Sequence, residues 1–181
     1  LLELMDTIKA VKIFFLVDDD VFIDKFDFTK YLQFDTKCFV PSLRLAPHLN
    51  YCYTKQAPQP LPAFEILSTI PSEFLTWQWK NGMYDWGYIF SLDGNLFTTK
   101  EISVMSRIVD YKNPNMYEDA LNAFYRLFSN RWGICGKRSQ IVNIPCNIVQ
   151  AECKNRHGKV HKDILLEKWQ EGFSLDWKIF M

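Results

Sequence analysis

Three consecutive aspartates, Asp18, Asp19 and Asp20, directly follow an apolar run at residues 11–17. Such a run predicts a strand that is buried on both faces, as in a parallel sheet covered by helices. Carboxylates at the carboxyl end of that strand lie where open α/β sheets bind ligands, and their oxygens suit Mn²⁺ or Mg²⁺. Residues two apart in an extended segment point to the same side. We therefore expect Asp18 and Asp20 to hold one divalent cation and Asp19 to face away.

The same three acids have a simpler explanation, because acidic side chains also cap turns or remain solvated. Three adjacent carboxylates at the end of a buried strand repel one another, however, unless a cation offsets their charge. We therefore favour the metal site over the turn cap.

Length and charge limit the class of protein. The 181 residues suit one compact domain, and 21 basic residues balance 21 acidic ones, so no net field attracts nucleic acid. No apolar run is long enough to cross a bilayer. Five cysteines without a CxxC pair indicate neither a zinc site nor a disulfide framework. We expect a cytoplasmic protein, free or peripheral at the membrane, that does not bind nucleic acid.

Further elements must position the aspartates. Apolar residues at helical spacing predict a helix over residues 1–10, directly before the strand. One strand cannot form a parallel sheet, so the others lie either later in the chain or upstream in a longer protein, and we favour the second. Short strands over 37–45 and 50–54 are predicted to pair, and the proline-rich residues 56–63 are predicted to form a loop.

A hairpin is predicted around the Asp-Gly pair at residues 93–94, because this pair readily takes the left-handed angles of a tight turn. Its two strands would cover residues 88–92 and 95–98. Thr98 and Glu101 then fit a capping box that begins a helix. These elements place Asp93 at the tip of a turn.

A second helix is predicted after Pro114, with Asn115 as its cap. Its apolar face would carry Tyr117 and Leu121. Three elements remain in the prediction, namely a short helix or turn within 24–34, a strand over 140–151 interrupted by a proline, and a final helix over 163–171 stopped by a glycine.

The aspartates and several later motifs together resemble a known family. Residues 14–22 are similar to the strand and Asp-X-Asp motif of GT-A-fold glycosyltransferases. Further stretches are similar, in order, to those of predicted bacterial glycosyltransferases of the family 2 type. These are Ser-Leu-Arg-Leu at 42–45, Trp-Gly-Tyr at 86–88, Ser-Leu-Asp-Gly at 91–94 and Pro-Asn-Met-Tyr-Glu-Asp at 114–119.

This resemblance implies an α/β fold in which a mixed, mostly parallel sheet is flanked by helices. It also implies that residues 1–181 form one glycosyltransferase-like catalytic domain whose N-terminal nucleotide-binding half lies upstream. Such an enzyme transfers a sugar from a nucleotide-sugar donor to a glycan or other hydroxyl acceptor. The family 2 type implies inversion at the anomeric carbon.

The resemblance assigns the aspartates to a Mn²⁺ or Mg²⁺ ion that bridges the diphosphate of the donor. Many enzymes of this fold take a third metal ligand from a histidine near the C-terminal end of the domain, and His161 or His157 could serve. Asp19, Arg44 and Arg156 are candidates for contacts with the diphosphate. The alternative for these histidines and arginines is a solvated surface position.

Glu118 and Asp119 resemble the acidic pair that supplies the general base in inverting enzymes of this class. The base removes the proton of the acceptor hydroxyl as its oxygen attacks the anomeric carbon. With Asn115 as the N-cap, Glu118 falls at the third helical position, where capping and the helix dipole explain it without chemistry. Asp119 has no such explanation. We therefore prefer it slightly and keep the pair as one candidate.

Aromatic residues and one turn aspartate are candidates for the acceptor site. The face of a sugar ring stacks on indole, so one of Trp77, Trp79 and Trp86 is expected to line the site and the others to pack in the core. Asp93 is a candidate for a hydrogen bond to an acceptor hydroxyl, although the hairpin turn also explains it.

Two other functions fit parts of the sequence. A haloacid-dehalogenase-type phosphotransferase also has Asp-X-Asp after an apolar strand, but its motif wants Thr or Val where this chain has Phe22. A domain that binds glycan without catalysis, or a purely structural domain, is the second alternative. An intact enzyme would have roughly a hundred further residues of strands and helices upstream.

Overall fold

The fold is mixed α/β in the computed structural model, which describes residues 1–23, 25–144, 160–176 and 179. The α-helices are α1 (Leu2–Thr7), α2 (Thr29–Leu32), α3 (Thr99–Ile108), α4 (Pro114–Leu121), α5 (Tyr125–Phe128) and α6 (Lys162–Gln170). The β-strands are β1 (Lys12–Phe14), β2 (Asp20–Phe22), β3 (Phe39–Ser42), β4 (Tyr51–Cys52), β5 (Ala57–Pro58), β6 (Phe74–Gln78), β7 (Leu96–Thr98), β8 (Trp132–Gly136) and β9 (Ile141–Asn143). Short 3₁₀ helices cover Trp79–Asn81, Tyr84–Gly87 and Asn122–Phe124.

Most of the strands belong to one array. β3 pairs in parallel with β8, and β8 pairs antiparallel with β6. β1 pairs antiparallel with β7, and a bridge between Ser42 and Asn95 joins the end of β3 to the residue before β7. The two-stranded sheet β1-β7 and the three-stranded sheet β3-β8-β6 thus meet at this single bridge, and we call the two together the sheet array.

The sheets are mixed, as predicted, but the expectation of a mostly parallel sheet is not met among the described strands. Only β3 and β8 are parallel there, because β7, β8 and β9 run back along β1, β6 and β2 in the opposite direction. The small β4–β5 pair is antiparallel as well.

β1 is shorter and more exposed than the apolar run at residues 11–17 suggests. It covers Lys12–Phe14, and the side chains of Val11 and Leu16 are 76% and 44% exposed. β7 pairs with one edge of β1, and no described strand pairs with the other edge. The prediction of a strand buried on both faces is therefore wrong, because the side chains of β1 are only partly buried and those of Val11 and Leu16 beside it are exposed.

The strands predicted over 37–45 and 50–54 form, but they do not pair with each other. β3 has β8 as its partner, with Val40 opposite Gly133. β4 forms a small hairpin with β5, which lies inside the predicted proline-rich loop. Pro58 is tolerated there because a short edge strand does not need its missing N–H.

β8 lies between β3 and β6 and has no counterpart in the sequence-based prediction. Its sequence, Trp-Gly-Ile-Cys-Gly, has a weak strand signal because glycines replace side chains at two of its five positions. Gly133 lies opposite Trp77 of β6, and a Cβ at this glycine would lie 2.3 Å from the indole ring. The glycine therefore makes room for a tryptophan in the core.

Three tryptophans form the centre of the core. Trp77 packs edge-to-face against Trp79 and Trp86, with ring centroids 4.9 and 5.0 Å apart. All three side chains are fully buried, and the Trp86 indole N–H donates to the Leu49 carbonyl at 3.0 Å. The expectation that Trp79 or Trp86 lines an acceptor site is therefore wrong, because the packing of the three indoles against one another leaves no ring face for a sugar.

The predicted hairpin at residues 88–98 is a turn followed by a single strand. Ile89 and Phe90 are both fully buried, so this segment lacks the alternation of a strand. The Asn95 side-chain amide donates to the Ile89 carbonyl at 2.8 Å and holds the turn closed. The left-handed angle predicted for Gly94 is present, with φ at 82°, and the chain then enters β7.

The predicted helices are present as α1, α2, α3, α4 and α6, and Gly172 follows α6 with φ at 90°. α3 begins after Thr98, as predicted, but without the capping box. The Thr98 hydroxyl is bonded to the Thr36 hydroxyl at 2.7 Å, and Glu101 pairs with Arg131 at 2.7 Å. The side chains of Thr98 and Glu101 therefore bond to residues that are distant in the sequence and do not cap α3.

β9 confirms part of the strand predicted over 140–151, and residues from Pro145 to 159 lie outside the described chain. β9 pairs antiparallel with β2, so that Asp20 lies opposite Asn143. None of the described helices has the length and apolar character needed to span a bilayer.

Candidate active site

Asp18 and Asp19 lie in a tight turn between β1 and β2, and Asp20 is the first residue of β2. The Asp20 N–H donates to the Val17 carbonyl at 3.2 Å, and Asp20 Oδ2 accepts from the Val17 N–H at 3.1 Å. Side chains in a turn do not alternate as they do in a strand. The expectation that Asp18 and Asp20 share one side while Asp19 faces away is therefore wrong in its premise.

Asn143 joins two of the three aspartates. Its side-chain nitrogen donates to Asp19 Oδ1 at 2.8 Å and to Asp20 Oδ1 at 3.4 Å. Asp19 and Asp20 are partly buried, whereas Asp18 is exposed. The pairing of β2 with β9 thus brings Asp19 and Asp20 to a common amide.

Asp93 lies in the turn that precedes β7, beside both β1 and β3. The Gly94 N–H donates to the Phe15 carbonyl at 2.9 Å, and the Leu43 N–H donates to the Gly94 carbonyl at 2.8 Å. The Asp93 N–H donates to the Ser91 hydroxyl at 3.3 Å. These bonds fix the position of the Asp93 carboxylate relative to the residues that follow β1 and β3.

Arg44 lies between two carboxylates just after β3. Its Nη2 is 3.7 Å from Asp85 Oδ1, and its Nε is 3.8 Å from Asp93 Oδ2. The side chain is only 18% exposed, and Nε is buried with no hydrogen-bond partner among the described residues. Burial acts to lower the pKa of Arg44, but Asp93, Asp85 and Glu118 raise it above its ordinary value. Arg44 is thus a largely buried positive charge that faces the carboxylates of Asp85 and Asp93.

Glu118 extends from α4 toward the same turn. α4 is capped by Asn113, whose Oδ1 accepts from the Met116 N–H at 2.9 Å. The predicted cap at Asn115 is therefore wrong, because the proline between the two asparagines prefers the first helical position. Glu118 lies beyond the capping positions, and its Oε1 accepts from the Leu92 N–H at 3.1 Å. Capping consequently does not explain it.

Burial and the repulsion of neighbouring carboxylates raise the pKa values of Asp19, Asp20 and Glu118. Burial, followed by the charge of Asp93, raises the pKa of Asp20 to about 6 and that of Glu118 to about 7. Burial also raises the pKa of Asp19, although the Asn143 hydrogen bond acts in the opposite direction. Acids that perturb one another in this way are typical of functional sites. We call the five acids around Arg44 the carboxylate cluster. They are Asp19, Asp20, Asp85, Asp93 and Glu118.

The carboxylate cluster suits a divalent cation that uses few protein ligands. The described part of the chain contains no group of three or more Asp, Glu, His or Cys side chains placed to hold a metal. Mg²⁺ typically takes one or two carboxylates and fills its other positions with water and substrate phosphates. Asp19 and Asp20, held by one amide, are the residues that could hold such an ion. Their crowding also means that a cation would relieve repulsion.

Several predicted site residues are not brought to the cluster. His161 is the N-cap of the exposed helix α6, where its Nδ1 accepts from the Asp163 N–H at 3.3 Å. Asp119 is exposed on α4, next to Glu118. Two predicted residues lie outside the described chain, namely Arg156 and His157.

Asp85 and Asn143 belong to the site and have no place in the sequence-based prediction. Asp85 directly precedes the Trp-Gly-Tyr stretch, so an acid beside that motif is the signal that could have found it. Asn143 has no local signal, since its role depends on the pairing of β9 with β2 from the other end of the chain.

Comparison with protein-family models, with curated protein sequences and with solved structures gave no match to this chain. The functional conclusion therefore depends on the residues of the carboxylate cluster and their arrangement.

Proposed function

We propose that this chain is a metal-dependent glycosyltransferase that transfers a sugar from a nucleotide-sugar donor to a hydroxyl acceptor and inverts the anomeric carbon. One observation carries the proposal. Charged residues from separate motif stretches, at positions 19–20, 44, 93 and 118, lie together in the carboxylate cluster. For these positions the GT-A resemblance implies metal, diphosphate, acceptor and base roles.

Glu118 is the proposed general base. Its pKa of about 7 allows it to accept a proton near neutral pH. Ionised Glu118 takes the proton of the acceptor hydroxyl while the hydroxyl oxygen forms a bond to the anomeric carbon. The bond from that carbon to the diphosphate oxygen breaks, and its electron pair leaves with the nucleoside diphosphate. Attack from the face opposite the leaving group inverts the configuration.

Asp20, with Asp18 or Asp19 beside it, would hold the Mn²⁺ or Mg²⁺ ion. When bound, the ion would supply positive charge that stabilises the departing diphosphate. Arg44 would add a fixed positive charge on the same side. Asn143 would keep the carboxylates of Asp19 and Asp20 in position.

Metal-dependent nucleotide binding tests this proposal. We expect the protein to bind one of the common nucleoside diphosphates in the presence of Mn²⁺ and to lose that binding in a chelator, as measured by calorimetry. Asp20→Asn should weaken the Mn²⁺-dependent binding by at least about tenfold, because a ligand charge is lost. Asp110→Asn removes an equal charge from an exposed position after α3 and should bind like the parent.

Two results would contradict the proposal. One is nucleotide binding that does not depend on Mn²⁺ or Mg²⁺ in the parent, and the other is binding that Asp20→Asn leaves unchanged. A protein that binds oligosaccharide but neither binds nucleotide nor hydrolyses any nucleotide sugar would instead fit the non-catalytic glycan-binding alternative.

A further inference from the structure

A cleft of about 690 Å³ opens beside the carboxylate cluster. One part of its wall follows the chain from Lys137 through β9 to Asn143, and other parts include Arg44 and Tyr51. Asn143, at the end of this wall, is the residue that donates to the aspartate turn. The cleft therefore extends from the exposed residues Lys137 and Arg138, which we call its mouth, to Asn143 beside the aspartate turn.

The mouth of the cleft carries positive charge that the described protein does not neutralise. The side chains of Lys137 and Arg138 are exposed, and neither forms an ion pair or a side-chain hydrogen bond within the described ranges. Arg44 is a further cation in the wall, but Asp85 in the wall and Asp93 beside it offset its charge, so the excess positive charge is that of Lys137 and Arg138. A concave wall with an excess of cations concentrates anionic ligands. Lys and Arg side chains bind carboxylate and phosphate groups in particular.

Two tyrosines provide the cleft with a surface for a sugar ring. Tyr51 and Tyr53 line it and are 49% and 56% exposed, while Cys52 between them is buried. Both rings therefore lie on the solvent side of this segment. An exposed tyrosine can stack on the apolar face of a sugar and still hydrogen-bond through its hydroxyl. Ser139 and His48, with Oγ and Nε2 3.4 Å apart, add polar groups to the same wall.

We infer that this cleft is the acceptor site and that the acceptor is an anionic saccharide, whose carboxylate or phosphate binds Lys137 and Arg138. The inference rests on the proposed glycosyltransferase activity and specifies its acceptor. Tyr51 and Tyr53 take the role that the buried tryptophans cannot have. The diphosphate of the donor belongs at the aspartate turn, so the two anionic groups occupy different parts of the site.

Saccharide binding in the absence of donor and metal tests the inference. The probes are digalacturonic acid with its carboxyl-reduced neutral form, and glucose 6-phosphate with glucose, titrated into the full chain by calorimetry or ligand-observed NMR. We expect at least one anionic probe to bind about tenfold more tightly than its neutral partner. The pair that shows the larger preference distinguishes a carboxylate acceptor from a phosphate acceptor.

Two double variants test whether Lys137 and Arg138 cause the preference for the anionic probe. Lys137→Gln with Arg138→Gln should remove the preference for the anionic probe and leave neutral binding intact. Lys100→Gln with Arg126→Gln removes the same charge from exposed positions on α3 and α5 and should keep the preference.

A pair of tyrosine variants tests the sugar surface. Tyr53→Ala should weaken the binding of anionic and neutral probes alike. Tyr53→Phe should retain binding, because the ring and not the hydroxyl makes the stacking contact.

Four results would overturn the inference. They are equal binding of anionic and neutral probes by the parent, an unchanged preference in the Lys137→Gln, Arg138→Gln variant, inorganic phosphate binding as tightly as glucose 6-phosphate, and full binding by Tyr53→Ala. In an active preparation, a rise in the donor KM with no rise in the acceptor KM in the same double variant would also overturn it. These titrations need neither nucleotide nor metal. Their failure is therefore distinct from failure of the Mn²⁺-nucleotide experiment.

Discussion

Glu118 and Asp119 are adjacent acids that differ in burial and contacts. Glu118 is partly buried and accepts a hydrogen bond from the Leu92 N–H, whereas Asp119 is exposed on α4. The preference for Asp119 in the sequence-based prediction depended on Asn115 as the helix cap, and the cap at Asn113 removes that reason. A general base needs a proton affinity close to the working pH, and burial provides this for Glu118.

Replacement of Glu118 should abolish sugar transfer without loss of the fold. Glu118→Gln keeps the oxygen that accepts from the Leu92 N–H but cannot take up a proton. We expect kcat to fall by about 10²–10⁴-fold, the usual contribution of a general base. In the parent, kcat/KM should rise with pH through about 7, because the base works in its ionised form. Initial rates measured between pH 5 and 9 check both expectations.

Asp119→Asn is the matched control for Glu118→Gln, since it removes one charge from the next residue of the same helix. We expect it to keep transfer within a few-fold of the parent, because its side chain is exposed. The base assignment would be reversed if Asp119→Asn lost turnover while Glu118→Gln retained it.

Residues of the site that lie inside local motifs could be predicted, and those placed by packing could not. Asp19, Asp20, Asp93 and Glu118 come from short stretches with recognisable chemistry, and the structure brings them together. Trp86 also lies in such a stretch, yet its side chain is in the core. Whether an indole faces a ligand or another indole depends on neighbours that are distant in the sequence.

The same limit applies to whole elements. The positions of helices α3 and α4 could be predicted, because apolar residues at helical spacing and the residues that begin each helix are local signals. The strand pairings of β1 with β7 and of β3 with β8 join segments that are far apart in the chain, so no local pattern specifies them. β8 itself was missed because Gly133, which gives Trp77 its space, weakens the strand signal.

The turn at Gly94 positions Asp93, and a side chain there should destabilise the fold. Gly94 has φ at 82°, and a Cβ on it would lie 2.4 Å from Ile141 Cδ1. The backbone angle alone costs an alanine about 1–2 kcal/mol, and the contact with Ile141 adds to this cost. We expect Gly94→Ala to lower the free energy of unfolding by about 2 kcal/mol. Denaturant unfolding monitored by tryptophan fluorescence measures this change.

Gly172→Ala is the control for the backbone angle. Gly172 has φ at 90°, but a Cβ on it would meet no atom within 4 Å. It follows α6, which is exposed along its length, so the helix end can fray without unfolding the core. We expect a change below about 0.5 kcal/mol. Equal losses in the two variants would show that the Gly94 turn has no special part in the fold.

The molecule as a whole concentrates negative charge around one arginine. The carboxylates of Asp85 and Asp93 lie within 4.0 Å of Arg44, and Glu118 and Asp20 also act on it electrostatically. The cluster connects segments that follow β1, β3 and α3, so its charge balance affects the stability of the entire sheet array. A cation bound by the aspartates would reduce the same repulsion.

Removal of Arg44 should make stability strongly dependent on pH. The pKa of Glu118 is raised in the folded state, so its contribution to stability is complete below about 4.5 and is lost as the pH rises through about 7. Arg44 opposes this loss because it lowers the pKa of Glu118. We expect Arg44→Gln to cost about 3 kcal/mol at pH 8, where Asp20 and Glu118 are ionised without the arginine, and less at pH 5. Arg44→Lys keeps the charge and should follow the pH profile of the parent more closely. Denaturant unfolding of the three proteins at pH 5 and pH 8 measures the difference, and equal losses at the two pH values would mean that Arg44 acts through packing and not through its charge.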